Sequence, residues 1–269
     1  MKIRNILIIA LVAALPQIAS AQSYTIPVSD LETDLGARLE LSIDKKITKG
    51  LHVEAFTEGR MTDNFGNLSR VDAGLGVSYK VNDYLKLGTG YIMINKESSS
   101  GTWKMRHRAY FDATGTLHAD DWRFSLKERI QLTHKDVNTV KHQTTPNSLE
   151  LKSRIKVAYK AIQHLEPYGY VEMRNVFNDP SCTATWSSAT ETFGYYSFTG
   201  YNHAYINRLR GCIGAEYKLD RHNSLDLHIL ADYCKDKTID TYSGGTNLRS
   251  LYWQPSFNTA ICLGYTFSF

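Results

Sequence analysis

The chain has 269 residues, with 31 lysines and arginines against 27 aspartates and glutamates, a formal net charge of +4. So even a balance gives no general case for nucleic-acid binding, which calls for a basic patch or stripe to meet phosphate. The length suits one β domain, and beyond residue 21 charges recur every few positions, which excludes membrane helices of roughly 20 apolar residues.

Residues 1–21 carry Lys2 and Arg4, an apolar run over 6–15 and then Ala19-Ser20-Ala21, the order of a secretory signal peptide cleaved before Gln22. Residues 22–269 then form a single domain. Residues 23–30 alternate weakly around Pro27, as an edge strand can. Strands follow over 35–44 and 51–61. The cleanest apolar face in the chain, Val71 to Val81 by alternate residues, turns at Asn82-Asp83 into a partner strand over 85–93. In-phase pairing sets Gly76 against Gly88 and Gly74 against Gly90, all inward, for curvature or for room beside a bulky neighbour.

Strands over 105–117 and 122–132 come next. Glu128 breaks the alternation of the second, and the expectation is either a β-bulge that turns it inward or a contact between protomers. Strands over 149–159 and 165–177 lead to the longest connection, 178–203. It is read as an extracellular loop whose Trp186, Phe193, Tyr195, Tyr196, Phe198 and Tyr201 are candidates for ligand contact. Strands over 205–219 and 225–233 pair with Leu219 opposite Leu225, which would set Lys218 against Asp226 and Glu216 against His228. A last outer loop spans 235–256. Cys182, Cys212, Cys234 and Cys262 show no C-x-x-C spacing and read as small buried hydrophobes, so neither metal nor cofactor is expected.

The closing stretch, 258–269, places Thr259, Ile261, Leu263, Tyr265, Phe267 and Phe269 on one face and small residues on the other. An alternating aromatic strand ending in Phe resembles the signal by which the assembly machinery recognises Gram-negative outer-membrane barrels. The expected partners are therefore that machinery, through the C-terminal strand, and outer-membrane lipid. Short turns at one end and long loops at the other fit the same class. Eleven strands are clear, and the even numbers of bacterial barrels add a twelfth from 23–30; ten remain if one segment does not span. The fold class is an all-β antiparallel transmembrane barrel of about 12 strands in the bacterial outer membrane, its oligomeric state open.

The run 35–61, the hairpin 71–93, Arg106-His107-Arg108, Lys127-Glu128-Arg129 and Leu263-Gly264-Tyr265 together resemble the family of small outer-membrane barrels catalogued as domain of unknown function 2490. The resemblance covers nearly the whole domain and rests on strand patterning with recurrent inward arginines. It implies location and fold, and the family carries no catalytic residues to transfer.

Function is sought in the interior. Arg108, Arg129, Arg154, Arg174, Arg208 and Arg210, with Arg123, Lys127, Lys152 and Lys156, face inward beside Asp112, Glu150, Glu172, Glu216 and Asp232. Such a set is either a salt-bridge network that fills the lumen or the lining of a narrow, anion-biased path. Arg154 and Glu172 are expected directly opposite each other. About 12 strands lie between filled eight-stranded and open sixteen-stranded barrels, and the preferred reading is a narrow or gated small-solute pore or receptor. No G-x-S-x-G, H-E-x-x-H, P-loop or G-x-G-x-x-G motif occurs. His107, His134, His142 and His203 could serve as bases near the outer rim, but none has an evident nucleophile, and catalytic residues are not assigned. A rim enzyme acting on lipid or lipopolysaccharide and a structural or surface ligand-binding barrel stay open beside the pore.

Overall fold

The structure is a computed structural model that describes residues 26–98, 100–187, 191–242 and 244–269; the signal-peptide reading over 1–21 lies outside them. The described strands, in chain order, are β1 (Glu32–Thr48), β2 (Leu51–Thr62), β3 (Asn67–Lys80), β4 (Leu85–Glu97), β5 (Trp103–Ala119), β6 (Trp122–Lys135), β7 (Asn147–Tyr159), β8 (Leu165–Ser187), β9 (Thr192–Lys218), β10 (Asn223–Thr241) and β11 (Leu248–Ser268). Each pairs with its sequence neighbour, and β1 closes on β11 to complete a barrel. A short helix, α1 (Thr139–His142), sits between β6 and β7.

Closure is the first point at which the structure departs from expectation. β1 and β11 run parallel, from Glu32 opposite Ser256 to Asp44 opposite Ser268. A parallel pair satisfies both strands' backbone groups, so eleven strands close without a twelfth. The segment expected to supply that strand instead prolongs the course of β1 along β11, with a single bridge between Val28 and Trp253; residues 23–25 lie outside the described residues.

Alternation fixes what faces out. Ile213, Leu75 and Val171 are 68%, 63% and 63% exposed on the outer surface, whereas Glu172 and Arg208 inside are 3% and 8% exposed. The barrel is apolar outside and charged within, the reverse of a soluble domain.

Two hairpin registers differ from expectation by two residues, for one reason. In the β3–β4 turn Asn82 Oδ1 accepts from the backbone N–H groups of Tyr84 and Leu85 at 2.8 and 2.9 Å. In the β9–β10 turn Asp220 Oδ1 accepts from those of His222 and Asn223 at 2.7 and 2.8 Å. The Asn223 side-chain amide and these N–H groups hold the Asp220 carboxyl below its ordinary range. Each side chain closes its own turn and shifts the pairing. Gly76 therefore faces Gly90, and Lys218 faces Ser224 in place of Asp226. Glu216 consequently meets Asp226 rather than His228, and the register brings Arg210 opposite Asp232.

The inward glycines make room rather than merely curvature. A Cβ on Gly76 would sit 2.7 Å from the Tyr110 hydroxyl, and one on Gly90 would collide with the same hydroxyl. Gly90→Val is expected to lower stability in urea unfolding from detergent by about 1–3 kcal/mol, as overpacking does. An unchanged midpoint would show that Tyr110 is not wedged there.

Glu128 does not sit on a bulge. The ladders run through Ala113, Glu128 and Ser153 without a shift, so its carboxylate stays on the outer face, where the Ser153 hydroxyl donates to it at 2.6 Å. A local hydroxyl partner replaces the inward turn. Glu128→Leu is expected to raise stability by about 1 kcal/mol, since a carboxylate on an apolar exterior is unfavourable; a loss of stability would assign the carboxylate a contact of its own.

The connection expected over 178–203 is instead mostly strand. β8 and β9 extend as a hairpin past the rim, and β10 and β11 likewise carry strand through most of 235–256. The two hairpins pack face to face: Cys182 and Ala184 of β8 meet Ile239, Leu248 and Leu251, with Ile26, Phe193 and Tyr196 around them. Burying this small apolar core against its partner is what lets the strands outrun the barrel. The cysteines are free thiols; Cys182, Cys212 and Cys262 are buried, as the small-hydrophobe reading had it, and Cys234 is half-buried.

Candidate functional site

The interior charges form linked groups. Glu172 accepts from Arg154 at 2.6 and 2.9 Å and from Arg208 at 2.5 Å. Arg154 and Glu172 are opposite each other, as expected. Arg210 forks onto Asp232 at 2.5 and 2.6 Å, a planar bidentate fit, and Arg38 approaches the same carboxylate at 3.4 Å. Asp112 accepts both nitrogens of Arg129 at 2.6 and 2.7 Å and lies 2.8 Å from Lys127. Arg174 donates to Asn207 at 2.6 Å and stands 3.9 Å from Glu150. Tyrosines back these cations: Arg129 lies 3.9 Å from the Tyr110 ring centre, and Arg154 lies 4.2 Å from that of Tyr170.

Four expected members join no ion pair among the described residues: Lys152, Lys156, which lies 3.5 Å from the Tyr168 ring centre, Arg108 and Glu216. Arg108 meets no acid within 4 Å among the described residues and donates to Thr133 Oγ1 at 2.9 Å. Glu216, beside Asp226 on the next strand, lines a cavity at the short-turn end rather than joining an ion pair. The inward set read from sequence leaves out the β1–β3 wall, where Arg70 forks onto Asp72 at 2.6 and 2.7 Å and Arg60 binds Glu58. Alternation along 51–61 points Glu58 and Arg60 inward, but their neighbours follow only from the closure of the ring.

The long-loop end is covered. α1 lies between β6 and β7 yet reaches β10, where the Thr241 hydroxyl donates to the Lys141 carbonyl at 2.8 Å and His142 stands 3.4 Å from Asp240. Gly245 (φ 71°) packs against Val140, 3.0 Å from where its Cβ would be, so neither backbone nor contact tolerates a side chain there. The segment 136–146 thus reaches over the mouth and is pinned to β10, three strands round the ring from β7.

The aromatic candidates belong to the projecting hairpin. Trp186 and Phe193 meet edge to face at 4.8 Å, as do Phe198 and Tyr201 at 5.2 Å. Tyr195 points outward and Tyr196 packs on the small core, so the six residues do not form one surface. Trp186 and Phe193 line a cavity of about 850 Å³ between the hairpin tips. Of the histidines, His107 contacts the Tyr91 hydroxyl on the outer face, His134 contacts Asn147 at 2.8 Å, and His203 lies 3.1 Å from Lys237.

These features define a closed, mainly antiparallel β-barrel with an apolar exterior and a charged interior. The chain belongs to the family described as "Protein of unknown function (DUF2490)", whose model matches residues 36–243. No curated protein matches closely enough to count as a relative. Among solved structures, the chain is similar to the NanC porin in a rhombohedral crystal form, at 13% identity and a TM-score of 0.43, covering 87% of this chain and 98% of that one.

Proposed function

We propose that the protein is a bacterial outer-membrane barrel whose narrow, charge-lined lumen admits small polar solutes when the segment 136–146 lifts from the mouth. One observation carries the reading: the apolar residues are exposed around the outside while carboxylates and guanidinium groups are buried within. That arrangement is unfavourable in water and favourable in a bilayer, where a closed barrel leaves no unpaired strand edge. Matched ion pairs between neighbouring strands of the interior, and a mouth covered by α1, support a gated lumen over a permanently open one.

In a Gram-negative host the protein is expected to fractionate with the outer membrane, resist alkaline extraction and migrate faster in gels when unheated. A soluble, folded product would contradict the reading. Releasing the cover should matter as well: Thr241→Val removes the hydroxyl that holds the α1 carbonyls, and the ratio of open to closed time is expected to rise about fivefold if that hydrogen bond contributes about 1 kcal/mol. A second reading, a surface ligand-binding barrel, is favoured by the largely apolar cavity between the hairpin tips.

A further inference from the structure

Within the lumen a cavity of about 320 Å³ is lined on one side by Glu40 of β1 and Glu54 of β2, and on another by Lys152 and Arg154 of β7. Around the closed ring β7 lies five strands from β1 by way of β11 and five from β2 by way of β3, so these walls are diametrically opposed. Most interior charges are matched along their own wall, including Arg154 with Glu172. Glu40, Glu54 and Lys152 are not, and neither is Arg108 of β5 in the same lining: among the described residues none of the four has an opposite charge within 4 Å. The charged strand neighbours of Glu40 and Lys152 are of like sign, since Glu40 faces Glu58, and Lys152 faces Arg129 and Arg174. Unspent negative charge therefore stands across the cavity from unspent positive charge, enclosed by protein, where such groups act strongly on whatever enters.

A purely anionic solute would be repelled by the β1–β2 wall and a cation by β7. We propose that this cavity binds a small zwitterion across its width, its carboxylate towards Lys152 and its ammonium towards Glu40 and Glu54. The volume, near the lower end for small-molecule sites, fits a solute of amino-acid size. A contiguous cavity of about 420 Å³ shares Arg38, Glu40 and Arg154 and reaches Thr266 and Ser268, giving entry from the short-turn end while the opposite mouth stays covered.

The inference deepens the lumen reading above and rests on it, and binding separates the two. Calorimetric titration of the refolded protein in detergent at neutral pH would compare β-alanine, propionate and propylammonium, which share a size and differ in charge. β-Alanine is expected to bind at least about tenfold more tightly than either. The double variant Lys152→Gln/Arg108→Gln should remove that advantage and leave propylammonium the better ligand, and the double variant Glu40→Gln/Glu54→Gln should leave propionate so. Propionate binding best to the wild type, equal affinities, or no binding of β-alanine would overturn the proposal, and the comparison needs no variant to fold. A conducting protein that prefers propionate would fail this inference alone; one that binds β-alanine as expected but never conducts would fail the pore reading alone.

Discussion

Glu172→Leu is expected to lower the stability of the refolded barrel by about 3–5 kcal/mol, the range for removing one partner of a buried ion pair. Glu172 is the shared acceptor of Arg154 and Arg208, and its loss strands two guanidinium groups at once. Arg208 bears most of the penalty, because its side chain is 9% exposed while that of Arg154 is 33% exposed and keeps its contact with the Tyr170 ring. Arg154→Leu should therefore cost clearly less, since Glu172 retains Arg208. The double variant Glu172→Leu/Arg208→Leu should recover part of the loss, as a coupled pair requires. Urea unfolding in detergent reads all three; a Glu172→Leu midpoint equal to wild type would mean the network does not hold the interior together.

Changing Tyr265 and Phe267 to Asp is expected to abolish membrane assembly. Phe267 is exposed on the outer face, flanked by Ile43 and Asn223, and Tyr265 lies between Leu41 and Leu225. In the bilayer placement proposed above a carboxylate there would meet hydrocarbon, at up to a few kcal/mol per residue depending on depth. Deleting Phe269 acts differently: its N–H donates to the Asp44 carbonyl at 3.0 Å, its carbonyl accepts from Lys46 at 2.9 Å, and its ring lies 5.0 Å from the Lys45 ammonium. These contacts seal the β1–β11 seam, so the truncation should slow assembly and leave protein exposed to periplasmic proteases. Normal amounts of heat-modifiable barrel from the double Asp variant would contradict an apolar surrounding for this face.

Period-two alternation made all eleven strands legible, because a strand with one apolar and one polar face writes its orientation into consecutive residues. The Arg154–Glu172 pair was legible for the same reason, helped by a turn that matched the expected phase. What escaped depends on geometry that no single strand encodes. The two-residue shifts came from Asn82 and Asp220, whose side chains close turns in a way that composition alone does not reveal. The parallel seam could not be seen because β1 and β11 lie at opposite ends of the chain, and with it went the neighbours of Arg38. The extension of β8 and β9 was hidden by polar and aromatic residues that read as loop until a second hairpin, packed on Cys182 and Ala184, gave them something to cover. Glu128 looked like a register break only because Ser153, its hydroxyl partner, stands on the next strand.

The most direct test of the central claim is single-channel recording of the refolded wild-type protein in planar bilayers. A charge-matched lumen under a pinned cover predicts small conductance with long closures, and a larger open fraction once Thr241 is replaced by Val. Large, steady openings in the wild type, unaffected by that substitution, would contradict it.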